Sequence, residues 1–390
     1  KAQGRYQQSK ESFEKAIQVA QSYAEAWKNY GDVLLDLQQQ QAAVESYARA
    51  LHFKPEYVEA HINLGNALLM LNRAEEAVVS YDQAIQIRPD YPEAWNNRGN
   101  ALQQLKQFEL AINSYDQAIQ FKADYPEAWN NRGNAQMAII RMDDAVVSYQ
   151  QALQLNPHYN YLKGILFYAR MRQCDWNEYS EQVSSIKAAT FLGEKCAHAF
   201  TVVTLIDDLS VQYQSAITWS SDKHPVRNEL GDIDRRPHSA KIRIGYFSAD
   251  LQNHATAWLM AELFERHDRN RFELFAFSFG PPRQDEMRQR LTAAFDHFFD
   301  VRDKSDLEVA AMSRALGIDI AIDLKGYTQD SRPGIFSYRA APIQVNYLGY
   351  PGTMGAPYMD YLIADPVLIP EESRQYYAEK IVYLPDSYQV

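Results

Sequence analysis

The sequence predicts two architectures in one chain, an α-helical solenoid followed by a parallel α/β domain. A motif recurs every 34 residues in the first part, β-rich runs alternate with helical stretches from Lys241 onwards, and 390 residues are enough for two or three domains. We therefore predict a repeat array over 1–159, a helical connector over 160–238 and an α/β lobe over 239–390.

The composition excludes several classes of protein. Lys and Arg number 39 against 50 Asp and Glu, and this net charge of −11 disfavours broad binding to nucleic acid or to anionic membranes. No apolar stretch reaches the roughly 18–20 residues of a membrane-spanning helix. Two cysteines provide neither a disulfide framework nor, unaided, a four-ligand zinc site, which indicates a reducing compartment, so we expect a cytoplasmic protein.

Glycine, alanine and tyrosine recur at fixed places in the array. The glycines are Gly31, Gly65, Gly99 and Gly133, and the tyrosines are Tyr47, Tyr81, Tyr115 and Tyr149. Small residues let two helices approach closely, and aromatic residues fill the space between neighbours. The pattern resembles the tetratricopeptide repeat, with four full repeats over 24–159 and a broken fifth before them. It predicts a superhelix with a concave face.

One polar residue also recurs in the first helix of every repeat, which we call the Asn ladder. Its members are Asn29, Asn63, Asn97 and Asn131. An Asn amide can donate to and accept from the backbone of an extended peptide, so a ladder along a groove would bind many sequences. Repeat duplication alone would also copy idle residues, and spacing does not separate these two interpretations.

The connector loses the repeat period but keeps helical spacing of apolar residues over 161–172 and 179–188. A local motif, Cys174-Asp175-Trp176, stands at a break between these helices. We expect Trp176 to be a packing anchor and Cys174 to be a small buried residue.

Six β-rich runs in the last part predict a parallel sheet covered by helices, a Rossmann-like layout. These runs are 242–248, 272–279, 297–301, 318–324, 343–348 and 361–364. Ligands of such sheets bind beyond the carboxyl ends of the strands, so we expect the functional residues in the loops that follow the strands.

Three of these loops carry candidate residues. His254 precedes a helix start, where it could orient or deprotonate a hydroxyl group, or could simply cap the helix. The segments Gly326-Tyr327-Thr328 and 349–355 hold glycines that allow close backbone approach to a ligand, although turn geometry alone also explains them. The sequence has neither a G-x-x-x-x-G-K-[ST] phosphate-binding loop nor a G-x-G-x-x-G dinucleotide motif after the first strand. Their absence weakens the hypotheses of an NTPase and of a dinucleotide-binding enzyme.

Taken together, the motifs closely resemble the nucleocytoplasmic O-GlcNAc transferases, with their bacterial relatives and the plant SPINDLY-type O-fucosyltransferases. Besides the array and its ladder, the resemblance rests on segments 174–176, 244–250 with Asn253-His254, 326–328, 339–344, 348–355 and 359–361. It implies that the lobe is the amino-terminal half of a two-lobed GT-B glycosyltransferase.

The resemblance also implies an activity. The family transfers a sugar from a nucleotide donor to Ser or Thr of proteins, with inversion and without a metal ion, so we expect no metal site and no cofactor. We expect UDP-GlcNAc as the donor substrate, with GDP-fucose as the alternative. His254 matches the active-site histidine, as base or as orienting group, and the Asn ladder matches the acceptor-binding surface. The residues expected to face sugar or acceptor are Gly326, Tyr327, Thr328, Gly349, Pro351, Gly352 and Thr353.

The sequence departs from the family in one respect, which is the absence of a second lobe. The lobe that binds the nucleotide has no counterpart before Val390, and the chain starts inside a helical pattern without Met, so we expect a fragment that is inactive alone. A non-catalytic scaffold and a glycosyltransferase for small molecules or glycans are the competing readings. The expected partners are acceptor proteins or peptides and a nucleotide sugar. The sequence does not decide whether the protein forms a homo-oligomer.

Overall fold

The computed structural model describes residues 2–233 and 241–389. They form two compact units, Lys1–Asn177 and Glu178–Val390. The helices of the predicted connector are divided between the two units, and its predicted boundary with the lobe, 238/239, lies outside the described residues.

The first unit is the predicted helical solenoid. Its helices are α1 (Ala2–Val19), α2 (Ala24–Asp36), α3 (Gln40–Phe53), α4 (Val58–Met70), α5 (Ala74–Ile87), α6 (Pro92–Gln104), α7 (Phe108–Phe121), α8 (Pro126–Ala138), α9 (Met142–Leu155) and α10 (Leu162–Arg172). From α2 to α9 they pack as consecutive pairs, one pair to each repeat, and α10 packs on α9.

The recurring Gly and Tyr residues face each other inside every pair. Tyr47, Tyr81 and Tyr115 are fully buried. A methyl group on the facing glycine would lie 2.4–2.6 Å from ring carbons in all four repeats, well inside van der Waals contact. The period is therefore a packing constraint, since each buried ring occupies the space that any larger residue at the glycine position would need.

The expectations for the motif at the end of this unit are wrong. Trp176 is 60% exposed and Cys174 is exposed, with φ of 58°. The motif lies in the turn that follows α10, where the chain leaves the first unit, so these side chains do not enter its core.

The second unit is built around a seven-stranded parallel sheet in the order β3-β2-β1-β4-β5-β6-β7. The strands are β1 (Ile242–Ser248), β2 (Phe272–Ser278), β3 (His297–Asp300), β4 (Ile320–Asp323), β5 (Ile343–Tyr347), β6 (Tyr361–Ala364) and β7 (Lys380–Tyr383). This confirms the predicted fold class, and the edge strand β7 extends the six predicted strands to seven.

Helices cover both faces of this sheet. They are α11 (Tyr179–Phe191), α12 (Ala199–Leu205), α13 (Leu209–Lys223), α14 (Ala255–Arg266), α15 (Glu286–Ala294), α16 (Asp306–Ala315) and α17 (Gly334–Ser337), with a 3-10 helix at Glu371–Tyr376. Alternation along β1 sends Tyr246 into the core beneath α14 and α15, and Phe247 into the opposite core with α16. Ala199 of α12 and Ala216 of α13 belong to that second core. Within the ranges 2–233 and 241–389, none of the helices combines the length and apolar character needed to cross a membrane.

We predict that Gly99→Ala loosens the α6–α7 pair, because the added methyl group meets the buried Tyr115 ring at 2.5 Å. Overpacking costs about 1–3 kcal/mol, and the better helix propensity of Ala offsets up to about 1 kcal/mol of it. Hydrogen exchange read by mass spectrometry should show faster exchange over 92–121. Gln120→Ala, at an exposed position of α7, is the control and should leave exchange unchanged. Equal protection in the two variants would contradict the packing argument.

Candidate functional site

The carboxyl ends of β1, β4 and β5 lie side by side in the sheet, and the loops that follow β4 and β5 touch each other. A Cβ on Gly349 would lie 2.0 Å from the carbonyl oxygen of Leu324, and one on Gly326, at φ of 54°, would lie 2.4 Å from Cβ of Tyr350. Both glycines are thus required where the loops pack against each other. This close approach of the two loops explains both glycines without a ligand.

His254 lies at this edge of the sheet, at the start of α14. Its Nδ1 accepts a hydrogen bond from the backbone N–H of Thr256 at 3.2 Å, which caps the helix. The side chain remains 47% exposed. The capping role considered from the sequence is therefore present, and the exposed ring can still meet a substrate.

A buried ion pair lies behind His254. The Nζ atom of Lys325, after β4, donates to Oδ2 of Asp250, after β1, at 2.7 Å, and the two side chains are 7% and 10% exposed. The same carboxylate oxygen is 3.5 Å from Nδ1 of His254. The sequence analysis assigned no role to either residue. The available signal was a charged residue two positions after the end of each of two buried strands.

The residues expected to face sugar or acceptor occupy different depths. Gly326, Tyr327, Gly352 and Thr353 are buried, Thr328 and Gly349 are partly buried, and Pro351 is exposed. The hydroxyl of Tyr327 donates to the carbonyl of Met354 at 2.7 Å, and that of Thr328 donates to the carbonyl of Lys325 at 2.8 Å. These hydroxyls hold the loops together, and a contact with substrate stays a prediction.

Glu379, just before β7, holds the loop after β5. Its two carboxylate oxygens accept from the hydroxyl of Thr353 and from the backbone N–H of Met354, both at 2.7 Å. Burial raises the pKa of Glu379, against the lowering effect of these hydrogen bonds. Ser220 of α13 secures the other end of the loop by donating to the carbonyl of Gly355 at 2.7 Å.

A second helix-capping histidine, which the sequence analysis did not single out, lies in the same unit. Nδ1 of His198 accepts from the backbone N–H of Phe200 at 2.9 Å, and the ring lies 3.8 Å from the Trp219 ring and 6.4 Å from the Tyr327 ring, centroid to centroid. Burial and then the charge of His224 lower the pKa of His198 to about 4, so the ring is neutral near pH 7.

The Asn ladder has a role inside the array. Nδ2 of Asn63 donates to Asp32 at 2.8 Å, and Nδ2 of Asn97 donates to Asn66 at 3.1 Å. Asn131 repeats this bond with Asn100 and also donates to Asn96, both at 3.1 Å. Asp32, Asn66 and Asn100 also receive the hydroxyls of the buried tyrosines of their own repeats, and Asn134 receives that of Tyr149 in the fourth repeat. For Asn63, Asn97 and Asn131 these hydrogen bonds join one repeat to the next. Asn29, in the first full repeat, is partly buried.

Asp323 is the most deeply buried acid beside the site, at 1% exposure. Its Oδ1 accepts from the backbone N–H of Lys325 at 2.9 Å, while Oδ2 has no hydrogen-bond partner among the residues described. Burial raises the pKa of Asp323 to about 7, against the lowering effects of the backbone N–H groups and of Lys325. Across the described residues, 2–233 and 241–389, no group of three or more His, Cys, Asp or Glu side chains is arranged to bind a metal ion.

We predict that Asp323 makes the second unit less stable as the pH rises from about 4 to about 7. The folded pKa of about 7 lies above the ordinary aspartate pKa of 3.8, so the folded state binds the proton more tightly and ionisation favours unfolding, by about 4 kcal/mol over that interval. Urea unfolding at a series of pH values should show this decline in the wild type and its loss in Asp323→Asn. The exposed Asp303→Asn is the control and should keep it. Parallel pH profiles of wild type and Asp323→Asn would contradict the prediction.

Comparison with known proteins identifies both units. Residues 226–390 match the model of glycosyl transferase family 41. Tetratricopeptide models match residues 1–23, 31–72, 65–106, 103–139 and 126–159.

Curated relatives and a solved structure agree with these matches. A probable UDP-N-acetylglucosamine–peptide N-acetylglucosaminyltransferase of Arabidopsis thaliana is 39% identical over 158 residues, which are 40% of this chain and 16% of that protein. The Caenorhabditis elegans UDP-N-acetylglucosamine–peptide N-acetylglucosaminyltransferase is 31% identical over 232 residues, 55% of this chain and 20% of that protein. A mutant O-GlcNAc transferase from Thermobaculum terrenum has a TM-score of 0.55 and 25% identity, covering 85% of this chain and 58% of that one.

The chain therefore spans a fifth or less of these two curated relatives, and the resemblance predicted from its motifs is confirmed. Residues 226–390 match glycosyl transferase family 41, and the same chain carries an array of tetratricopeptide repeats before them.

Proposed function

We propose that the protein containing this chain transfers GlcNAc from UDP-GlcNAc to Ser or Thr hydroxyls of acceptor proteins. The observation that carries the proposal is an exposed histidine, His254, at the ligand-binding edge of a family 41 sheet. The relatives named above, whose printed names describe peptide N-acetylglucosaminyltransferases, support the donor and the acceptor class.

The reaction we propose is a single displacement with inversion and without a metal ion. The acceptor hydroxyl oxygen attacks the anomeric carbon on the face opposite the leaving group, and the bond from that carbon to the diphosphate oxygen breaks with its electrons on UDP. The hydroxyl proton is released as the new glycosidic bond forms. The exposed position of His254 suits contact with an oxygen of either substrate.

The array supports a protein acceptor over a small molecule or glycan. Nδ2 of Asn131 donates to both Asn96 and Asn100. The oxygens of Asn97 and Asn131 accept from the asparagine that precedes each of them. Asn63 and Asn97 each use one amide hydrogen between repeats, and each keeps a second one. Such groups, repeated along helices, suit the backbone of an extended peptide better than a compact ligand.

The first test is transfer by the complete gene product. Incubation with UDP-GlcNAc and a mixture of proteins should add GlcNAc to Ser and Thr, as read by mass spectrometry, and the reaction should persist in the presence of EDTA. His254→Ala should lower turnover by about 10²-fold or more while sugar-nucleotide affinity changes little, because a contact made in the transition state is lost.

His158→Ala, an exposed histidine of the array, is the matched control and should retain full turnover. Transfer of fucose from GDP-fucose would replace the donor in this proposal. If the complete gene product transfers sugar from neither donor, the proposed function is overturned in favour of a non-catalytic scaffold. Near-normal turnover of His254→Ala would limit His254 to its role as a helix cap.

A separate prediction concerns acceptor binding by the array. Replacing Asn63, Asn97 and Asn131 together by Ala should weaken binding of unstructured peptides by about tenfold or more, since hydrogen bonds of about 0.5–1.5 kcal/mol each are lost. Fluorescence anisotropy with labelled peptides measures the change.

Because these residues also join repeats, folding must be followed in the same samples by circular dichroism. Asn113→Ala, an exposed asparagine on α7 outside the ladder, is the control and should bind peptides normally. Unchanged peptide affinity in a folded triple variant would limit the ladder to its structural role.

A further inference from the structure

The hydrogen bonds around His254 determine which ring nitrogen carries the proton. Nδ1 accepts from the backbone N–H of Thr256 at 3.2 Å, so in the neutral ring the hydrogen is on Nε2. The competing arrangement, with a hydrogen on Nδ1, would need an acceptor for it. Among residues 2–233 and 241–389, the carboxylate oxygen near Nδ1 is Oδ2 of Asp250, at 3.5 Å, beyond normal hydrogen-bond length.

Asp250 is occupied by another partner. Its Oδ2 accepts from the Lys325 ammonium at 2.7 Å, and this pair is almost completely buried. The backbone of Lys325 is itself held, since its N–H donates to Asp323 and its carbonyl accepts from the hydroxyl of Thr328. A buried ammonium on a fixed backbone is a strong and immobile competitor for the carboxylate.

We propose that Lys325 is a positioning residue that keeps the Asp250 carboxylate from His254 and so holds the neutral ring in the tautomer with its hydrogen on Nε2. In that form Nε2 donates a hydrogen bond and does not take up a proton. On the proposed function, His254 then orients a substrate oxygen or stabilises charge on it, and the acceptor proton leaves by another route. This assigns His254 the orienting role and not the basic role.

The remaining polar contacts of this loop do not compete with that arrangement. Asp285, at the start of α15, accepts from the backbone N–H of Asn253 at 3.0 Å, and Arg288 of α15 donates to the carbonyl of Leu251 at 3.1 Å. Both fix the backbone of the loop that carries His254. Among the described residues, Asp250 and Lys325 are therefore the charged pair that acts on the ring.

The test reads the tautomer directly by NMR. The chain is labelled with ¹⁵N-histidine, the His254 signals are assigned with His254→Gln, and long-range ¹H–¹⁵N correlations are recorded at about pH 8, where imidazole is neutral. We expect an unprotonated Nδ1 and a protonated Nε2 in the wild type. Lys325→Met should reverse this pattern, because the released carboxylate accepts a hydrogen from Nδ1. Asp250→Asn/Lys325→Met, which lacks both charges, should return to the wild-type pattern.

Lys304→Met, at an exposed lysine after β3, is the control and should leave the signals unchanged. A hydrogen on Nδ1 in the wild type overturns the proposal even if Lys325→Met fails to fold, and so does an unchanged tautomer in folded Lys325→Met. The readout needs no sugar transfer, so its failure is distinct from that of the proposed function. In the complete enzyme, Lys325→Met should lower kcat at nearly constant KM for the sugar nucleotide.

Discussion

Both units depend on places where two segments approach too closely to admit a Cβ atom. In the array this constraint is the contact of Gly31 with the ring of Tyr47, repeated in the following repeats. In the sheet it is the contact of Gly349 with the carbonyl of Leu324. The first sets the separation of paired helices, and the second sets the separation of the loops after β4 and β5.

Because these loops pack tightly, they bury charge, and buried charge must be paired or neutralised. The Lys325 ammonium and the Asp250 carboxylate pair with each other. Glu379 instead satisfies its oxygens with Thr353 and a backbone N–H, whereas Asp323 leaves one oxygen unsatisfied and takes up a proton more readily. Removing one partner of a buried ion pair costs about 3–5 kcal/mol. The polar groups behind His254 are therefore a rigid support for it.

The sequence was sufficient for the architecture because its signals were local. A period of 34 residues specified the helix pairs, and runs such as 242–248 and 361–364 agree with the observed strands to the residue. The pairing of Asp250 with Lys325, 75 residues apart, was not predictable, because a period or an alternation says nothing about which distant side chains meet. Likewise, helical spacing predicted helices in the connector without showing that Ala199 and Ala216 belong to the core of the sheet. The exposed Trp176 illustrates the opposite error, in which residue type was allowed to decide burial.

The ladder shows why a repeated polar residue need not be either idle or purely functional. Asn97 donates one hydrogen to Asn66, the same residue that receives the hydroxyl of Tyr81, so it is part of the bonding that fixes one repeat against the next. A side chain held in this way has lost its rotamer freedom during folding, and a peptide that binds to it does not have to supply that entropy. The oxygen of Asn97 accepts from Asn96 at 3.2 Å, so structural use of these two groups favours ligand binding by the second amide hydrogen. The same reasoning applies to His254, where the hydrogen bond that caps α14 at Nδ1 orients the half-exposed ring before any substrate arrives.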